Sequence, residues 1–489
     1  MQVVFASAEV APFAKTGGLG DVCGALPRFL ARAGHDVTLF LPFYREVATY
    51  FERQGAFPEV VADDITISWS NWSYDLTLLR ANLPGSGVPI YFFANSYFFN
   101  RESIYSARWD GTDDNLERYV FFCRAVIRCT ELLGLRPDIL HAHDWHTAPL
   151  PVYLHSGLRG SQSFRHTASV YTIHNLNYQG RYPASRFRFL GLHDRYWQPD
   201  AMEYFGDVHF MKSGIVFADQ VTTVSPNYAS EIQTEEFGAG LDGLLRENSH
   251  KLTGILNGID TAEWDPSSDF HLPVRYDRDS LSRKAACKEA LCGEIGLPFN
   301  SRRPLIGVIS RLVEQKGIDL LIPIVAAVID RGAQIVVLGS GEQHLEDALR
   351  SLSSRHRNAF KASLTFDPAL AHRITAGCDL FVMPSRYEPC GLNQMYALRY
   401  GTLPLVRMTG GLADTVVPYE PWNTHQATGF GFKTLHPLAL LGAIDWALQT
   451  FQEPETWRVL QRNGMAADFA WESSARMYEQ VYARAIGNL

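Results

Sequence analysis

The chain spells T-G-G-L-G-D at Thr16–Asp21 and nearly the same hexad, T-G-G-L-A-D, at Thr409–Asp414. Each copy follows an apolar run that reads as a buried parallel strand and opens a run that reads as a helix. A strand that turns through paired glycines into a helix aims free backbone N–H groups, and the positive end of the helix dipole, beyond the carboxyl edge of its sheet. Open α/β sheets take their ligands at that edge. Two such loops, one near each end of 489 residues, predict two α/β halves facing one another across a cleft. The plainer alternative, that Gly-Gly only permits a tight turn, stands beside this for each copy.

The rest of the chain follows the same grammar. QVVFASA, a helix from about Asp21 to Ala33, and VTLFLP form a first βαβ unit. ITISW, VPIYFFA, DILHAH, SVYTIH and QVTTVS follow, with a helix over Asn115–Leu133 and a hairpin insertion expected within 62–99. After Leu256 the pattern restarts with PLIGVIS, a helix near Ile318–Asp330, QIVVLGS, a helix near Gln343–Ser353, DLFVMPS and TLPLVRM. One sheet rarely grows to this length, so two doubly wound domains of roughly 240 residues each are expected. The hinge is placed near Lys251–Asn257, giving domains 1–251 and 252–468, with residues 469–489 as a terminal helical segment.

Net charge is −8, which argues against a chain-wide surface for nucleic acid or anionic lipid. The longest apolar stretch, Leu320–Ile329, is about half of a membrane span. Seven cysteines with no C-x-x-C favour reduced thiols, and the opening residues lack the basic region of a secretory signal, so a cytoplasmic protein is expected.

The glycine loops are not dinucleotide fingerprints. Gly18, Gly20 and Gly24 are spaced one residue too long, and His344 stands where a third glycine would follow Gly339 and Gly341. No Walker loop occurs. Histidines two apart at a strand end suggest a metallohydrolase, but in His141–His146 the carboxylate, Asp144, comes one position early. A polar cluster for sugar hydroxyls, or a structural network, is expected there, with His174 and Asn175 as a second polar strand end. Asp277-Arg278-Asp279 lies in a polar connection where a capping role is expected rather than a metal. Lys15, before its glycine turn, and Arg311 and Lys316, after PLIGVIS, are cations at sheet edges where a diphosphate could be clamped. Glu388, after DLFVMPS, is a carboxylate at the same kind of edge; it could bind sugar hydroxyls, offset positive charge at a reacting carbon, or cap a helix.

In order, K-T-G-G-L-G-D, HAHDWH, TIHN, LNGID, SRLVEQKG, PSRYEPCGLNQ and RMTGGLADTV resemble the bacterial glycogen synthases and their starch synthase relatives, over essentially the whole chain. The resemblance implies the GT-B fold of two Rossmann-like domains, the first on the acceptor side and the second on the nucleotide-sugar side. It implies a retaining transfer of glucose from ADP-glucose to the non-reducing end of an α-1,4-glucan, with release of ADP and without metal or cofactor. A UDP-glucose or other sugar-nucleotide enzyme of the same fold is the alternative. Carried over by position, Glu388, Arg311, Lys316, His174 and Asp144 would be catalytic. Lys15, Gly17, Gly18, Asn175, Asn257, Cys390, Gly391, Leu392, Thr409, Gly410 and Gly411 would bind substrate, with Phe366 stacking on adenine. Tyr396 stands where wider relatives carry a second glutamate, which leaves the ribose contact unassigned. The final helix, about Trp471 to Leu489, is expected to cross back onto the first domain.

Overall fold

The computed structural model describes residues 1–108, 111–487 and 489. The chain divides into two compact units, one of residues 1–224, 229–255 and 471–489, the other of 225–228 and 256–470.

The first unit is built on a nine-stranded sheet in the spatial order Leu252–Gly254, Gln220–Thr223, Ala168–Ile173, Ile139–His143, Gln2–Ala6, Asp36–Pro42, Pro89–Ala94, Trp72–Asn82, Glu59–Trp69. The first seven run parallel, and the last two form an antiparallel hairpin. The hairpin read within 62–99 thus extends the main sheet rather than standing apart. Its outer strand alternates exposed and buried residues toward its end, as expected where one face meets water. The central strands Ile139–His143 and Ala168–Ile173 are buried throughout, which is why they read as unbroken apolar runs. Leu252–Gly254 pairs with Gln220–Thr223, so the segment placed at the head of the second domain belongs to this sheet, and the chain leaves the unit after Ile255.

The second unit carries six parallel strands in the order Phe360–Ser363, Gln334–Leu338, Leu305–Ile309, Leu380–Met383, Leu403–Arg407, Phe430–Phe432. Numbered from its first strand this is the doubly wound order 3-2-1-4-5-6. The helix read over Ile318–Asp330 is broken into Ile318–Leu321, a 3-10 turn at Ile322–Ile324 and Val325–Asp330, because Pro323 cannot supply the N–H a continuous helix needs. The terminal segment forms helices Pro454–Ala466 and Trp471–Gly487. The second of these contributes Trp471, Tyr478, Tyr482 and Ala485 to the buried core of the first unit. Among the described residues no helix is long and apolar enough to cross a membrane.

In both sheets the strand order reverses beside the first strand. In the first unit Gln2–Ala6 lies between Asp36–Pro42 and Ile139–His143. In the second, Leu305–Ile309 lies between Gln334–Leu338 and Leu380–Met383. At such a switch point neighbouring loops leave in opposite directions and open a crevice at the carboxyl edge. Lys15 and Asp144 follow the two strands of one switch point; Arg311, Lys316 and Glu388 follow those of the other.

Candidate functional site

In the first unit Lys15 lies on the loop ahead of the helix Gly18–Arg32, and its Nζ sits 2.6 Å from Asp21 Oδ1 in that helix's first turn. Burial raises the Asp21 carboxyl above its usual range, against the pull of Lys15. Gly17 is the helix's N-cap in an extended conformation open to any residue, and a Cβ built at Gly17 or Gly18 meets nothing within 4 Å. The fold itself does not require glycine at either position, and the space is left open.

Asp144 follows the adjacent strand with a backbone φ of 54°, unusual for a residue with a side chain. Its Oδ1 accepts the backbone N–H of His174 at 2.7 Å and, at a longer 3.5 Å, that of Asn175. Burial pushes its carboxyl up to about 8, those two amides opposing. Burial also pushes the His174 imidazole down to about 3. At neutral pH the pair is therefore a protonated carboxyl beside a neutral imidazole, both able to share hydrogen bonds with hydroxyls.

The remaining histidines of HAHDWH turn inward. His141 is hydrogen-bonded to Tyr482 and Thr172, His143 Nδ1 meets His174 Nε2 at 3.1 Å, and His146 stacks on Tyr105. Burial first of all holds all three rings well below their usual pKa. They form a buried aromatic network with Asp144 alone at the sheet edge. Asp277, the other carboxylate weighed for a metal, closes a turn on Asp279 and Ser280.

In the second unit Lys316 closes a short 3-10 turn, and its Nζ lies 2.6 Å from Glu388 Oε2, which also accepts from Ser385 Oγ at 3.0 Å. Glu388 is 6% exposed. Arg311, on the same loop as Lys316, is exposed, and its side chain has no partner among the described residues. Glu388 caps no helix: the helix Asn393–Arg399 begins after Leu392 without a side-chain cap.

The second hexad braces this carboxylate. Gly411 donates its N–H to the carbonyls of Glu388 and Pro389, and Gly410 has a φ of 46°. A Cβ at Gly410 would lie 1.9 Å from the Glu388 carbonyl oxygen, and one at Gly411 2.2 Å from that of Cys390. Thr409, buried, precedes them as N-cap. Here the plainer reading of Gly-Gly applies, because backbone packs on backbone. The Gly411 N–H is thus engaged within the unit, beneath Glu388. In the first hexad the N–H of Gly17, with that of Thr16, goes to the carboxylate of Glu9.

Around Glu388, Cys390 is buried and its thiol is pushed up to about 12, by burial first and then by the neighbouring Glu388 charge, against a backbone hydrogen bond from Asn257. Asn257 is itself buried, with Oδ1 lacking a partner among the described residues. Gly391 turns the chain at a φ of 73° into Leu392. Phe366 is 87% exposed just before the helix Pro368–Gly377. Tyr396 stacks on Trp264 at 3.8 Å, so its ring is already occupied within the unit.

The structure therefore gathers Lys15, Gly17, Gly18, Asp144, His174 and Asn175 at one switch point. It gathers Arg311, Lys316, Glu388, Asn257 and Cys390–Leu392 at the other, with Gly410 and Gly411 beneath. Sequence reading missed Glu9, Tyr105 and Ser385. A lone acid in the apolar stretch soon after the first strand, Gln2–Ala6, was the one visible signal, for Glu9.

A starch synthase catalytic domain profile matches residues 2–247, and a glycosyl transferases group 1 profile matches residues 296–462. The chain is 44% identical to a glycogen synthase of Thermotoga maritima over 100% of both chains. It is 43% identical to one from Moorella thermoacetica over 99% of this chain and 97% of the other. Among solved structures it is similar to the catalytic domain of starch synthase IV from Arabidopsis thaliana bound to ADP and acarbose, with a TM-score of 0.89 and 35% identity over 99% of each chain. A sucrose-phosphate synthase from Thermosynechococcus elongatus, at 17% identity and a TM-score of 0.59, shares the fold.

Proposed function

The chain belongs to the glycogen synthase and starch synthase family of glucosyltransferases, and from that premise we propose that it moves glucose from ADP-glucose to the non-reducing end of an α-1,4-glucan, with retention and release of ADP. The observation that carries this reading is the Lys316–Glu388 pair, with Arg311 on the same loop as Lys316 and its side chain without a partner among the described residues. A retaining transfer without a protein nucleophile needs negative charge stabilised on the departing diphosphate and positive charge tolerated at C1. Arg311 and Lys316 serve the first need, and Glu388 the second. Lys316 is paired with Glu388 before substrate arrives, so the incoming diphosphate shares or displaces a contact already made.

In this reading the second unit holds the nucleotide, with Phe366 against the adenine and Asn257 Oδ1 toward the sugar. The first unit addresses the acceptor side. Asp144, His174 and Asn175 bind glucose hydroxyls, Lys15 reaches the diphosphate, and the open space at Gly17 and Gly18 admits it. The ADP bound to the Arabidopsis starch synthase supports an adenine donor. Seven buried free cysteines support a reducing cytoplasm.

The test is glucose incorporation into glycogen from ADP-glucose and from UDP-glucose, each with and without EDTA. EDTA-insensitive transfer from ADP-glucose is expected. Transfer from UDP-glucose alone would keep the mechanism and overturn the base assignment.

A further inference from the structure

Glu9 lies just past the central strand of the first unit and is 3% exposed. Its two carboxylate oxygens receive four donors. Oε2 accepts the N–H groups of Thr16 at 2.7 Å and Gly17 at 3.1 Å; Oε1 accepts the hydroxyls of Thr16 at 2.6 Å and of Tyr105. Thr16 and Gly17 directly follow Lys15. The Tyr105 ring in turn lies 5.1 Å from that of His146 at 19°, two residues beyond Asp144. One carboxylate therefore ties the segment that carries Lys15 to the segment that carries Asp144. It also consumes the loop's first amides, so the loop reaches outward through Lys15, whose side chain is 48% exposed.

We propose that Glu9 is a positioning residue: it fixes the Lys15 loop against the Asp144 segment through the placement of its two acceptor oxygens, and touches neither donor nor acceptor sugar. This rests on the glucosyl transfer proposed above. Chemistry separates the geometry of the bracket from its charge. Oε1 faces only hydroxyls, which accept as readily as they donate. In Glu9→Gln the NH2 group can take the place of Oε1 and donate to both hydroxyls, while the carbonyl serves the two amides. The bracket then survives without its charge. Glu9→Ala instead leaves two amides and two hydroxyls without their acceptor.

The experiment measures KM for ADP-glucose and for glycogen, kcat, the Kd for ADP by calorimetry, and the melting temperature. The variants are Glu9→Gln, Glu9→Ala, Tyr105→Phe and Thr16→Val. Glu9→Ala is expected to weaken ADP and raise the donor KM by about tenfold or more, with kcat falling further. Glu9→Gln stays within about threefold of the parent, Tyr105→Phe and Thr16→Val fall between, and the KM for glycogen holds throughout. A Glu9→Gln variant as impaired as Glu9→Ala would assign the effect to charge and overturn the proposal. So would a loss confined to the KM for glycogen, or a lowered melting temperature with unchanged kinetics. Should Glu9→Ala not fold, the two hydroxyl variants decide the matter by the same readouts. A parent enzyme that binds ADP yet transfers no glucose strikes the functional reading instead, and the ADP affinities still decide the bracket.

Discussion

A methyl group added at Gly18 meets open space, whereas one added at Gly411 lies 2.2 Å from the Cys390 carbonyl oxygen. The two substitutions should therefore separate. Gly18→Ala is expected to leave the melting temperature unchanged while cutting turnover on ADP-glucose by at least about tenfold, because in the proposed site it fills space the diphosphate would enter. Gly411→Ala is expected to lower the melting temperature, since backbone must move. Equal melting temperatures in the two variants would sink this distinction. At Arg311 and Lys316, substitution to alanine removes a cation that the proposed mechanism sets against the departing diphosphate, so kcat should fall on the order of a hundredfold with little change in glucan affinity. Lys316→Ala carries an extra cost, the buried Glu388 left without its cation; normal turnover in both variants would remove the clamp. The cations, the glycines and Glu388 were legible because each stands where a strand run ends. Glu9 was not, because its hydroxyl donor Tyr105 is 96 residues away and no local spacing announces that contact.

Among the elements, the parallel strands were legible because burial on both faces makes them unbroken apolar runs, whereas the helix read as continuous over Ile318–Asp330 breaks at Pro323. The helix Lys284–Ile295 gives no comparable sequence signal, since polar contacts pin it. Lys284 Nζ donates to the Ala376 carbonyl and to Thr402 Oγ1, and one turn on Lys288 Nζ donates to Asp379 at 2.7 Å. Burial lowers the Lys284 ammonium from 10.5 to about 8, with Asp379 opposing. Below pH 8 both folded and unfolded chains carry the proton, and the folded chain bears the full cost of a buried charge. Between 8 and 10.5 the unfolded chain binds more protons, so stability rises with pH across that window. Relative to Lys284→Met, the parent chain should gain about 3 kcal/mol of unfolding free energy over that range. Parallel stability curves for the two proteins would show that the lysine does not titrate as described.

For the molecule as a whole, the two units divide the titration between them. His141, His143, His146 and His174 all belong to the first, and burial holds each imidazole below its ordinary pKa of 6.5. The folded chain keeps them neutral while the unfolded chain takes up protons below 6.5, so each withdraws about 1.4 kcal/mol of stability per pH unit as acid is added. Asp144 works the other way, since its raised carboxyl keeps a proton in the folded chain up to about 8 and its burial becomes cheaper toward 3.8. His155 and His209 are lowered as well, while Asp21, Glu46 and Glu117 are raised beside Asp144; the six imidazoles outweigh the four carboxyls, and acid should loosen the first unit. The measurement is amide hydrogen exchange at about pH 7 and about pH 5, comparing Ile139–His143 and Ala168–Ile173 with Leu305–Ile309 and Leu380–Met383. The first pair of strands should lose protection on acidification while the second pair keeps it. Equal loss in both would mean that the buried histidines do not govern acid stability. Activity should fall together with protection of the first pair, because Asp144 and His174 sit at the ends of those same strands and lose their fixed hydrogen bonds when the strands open.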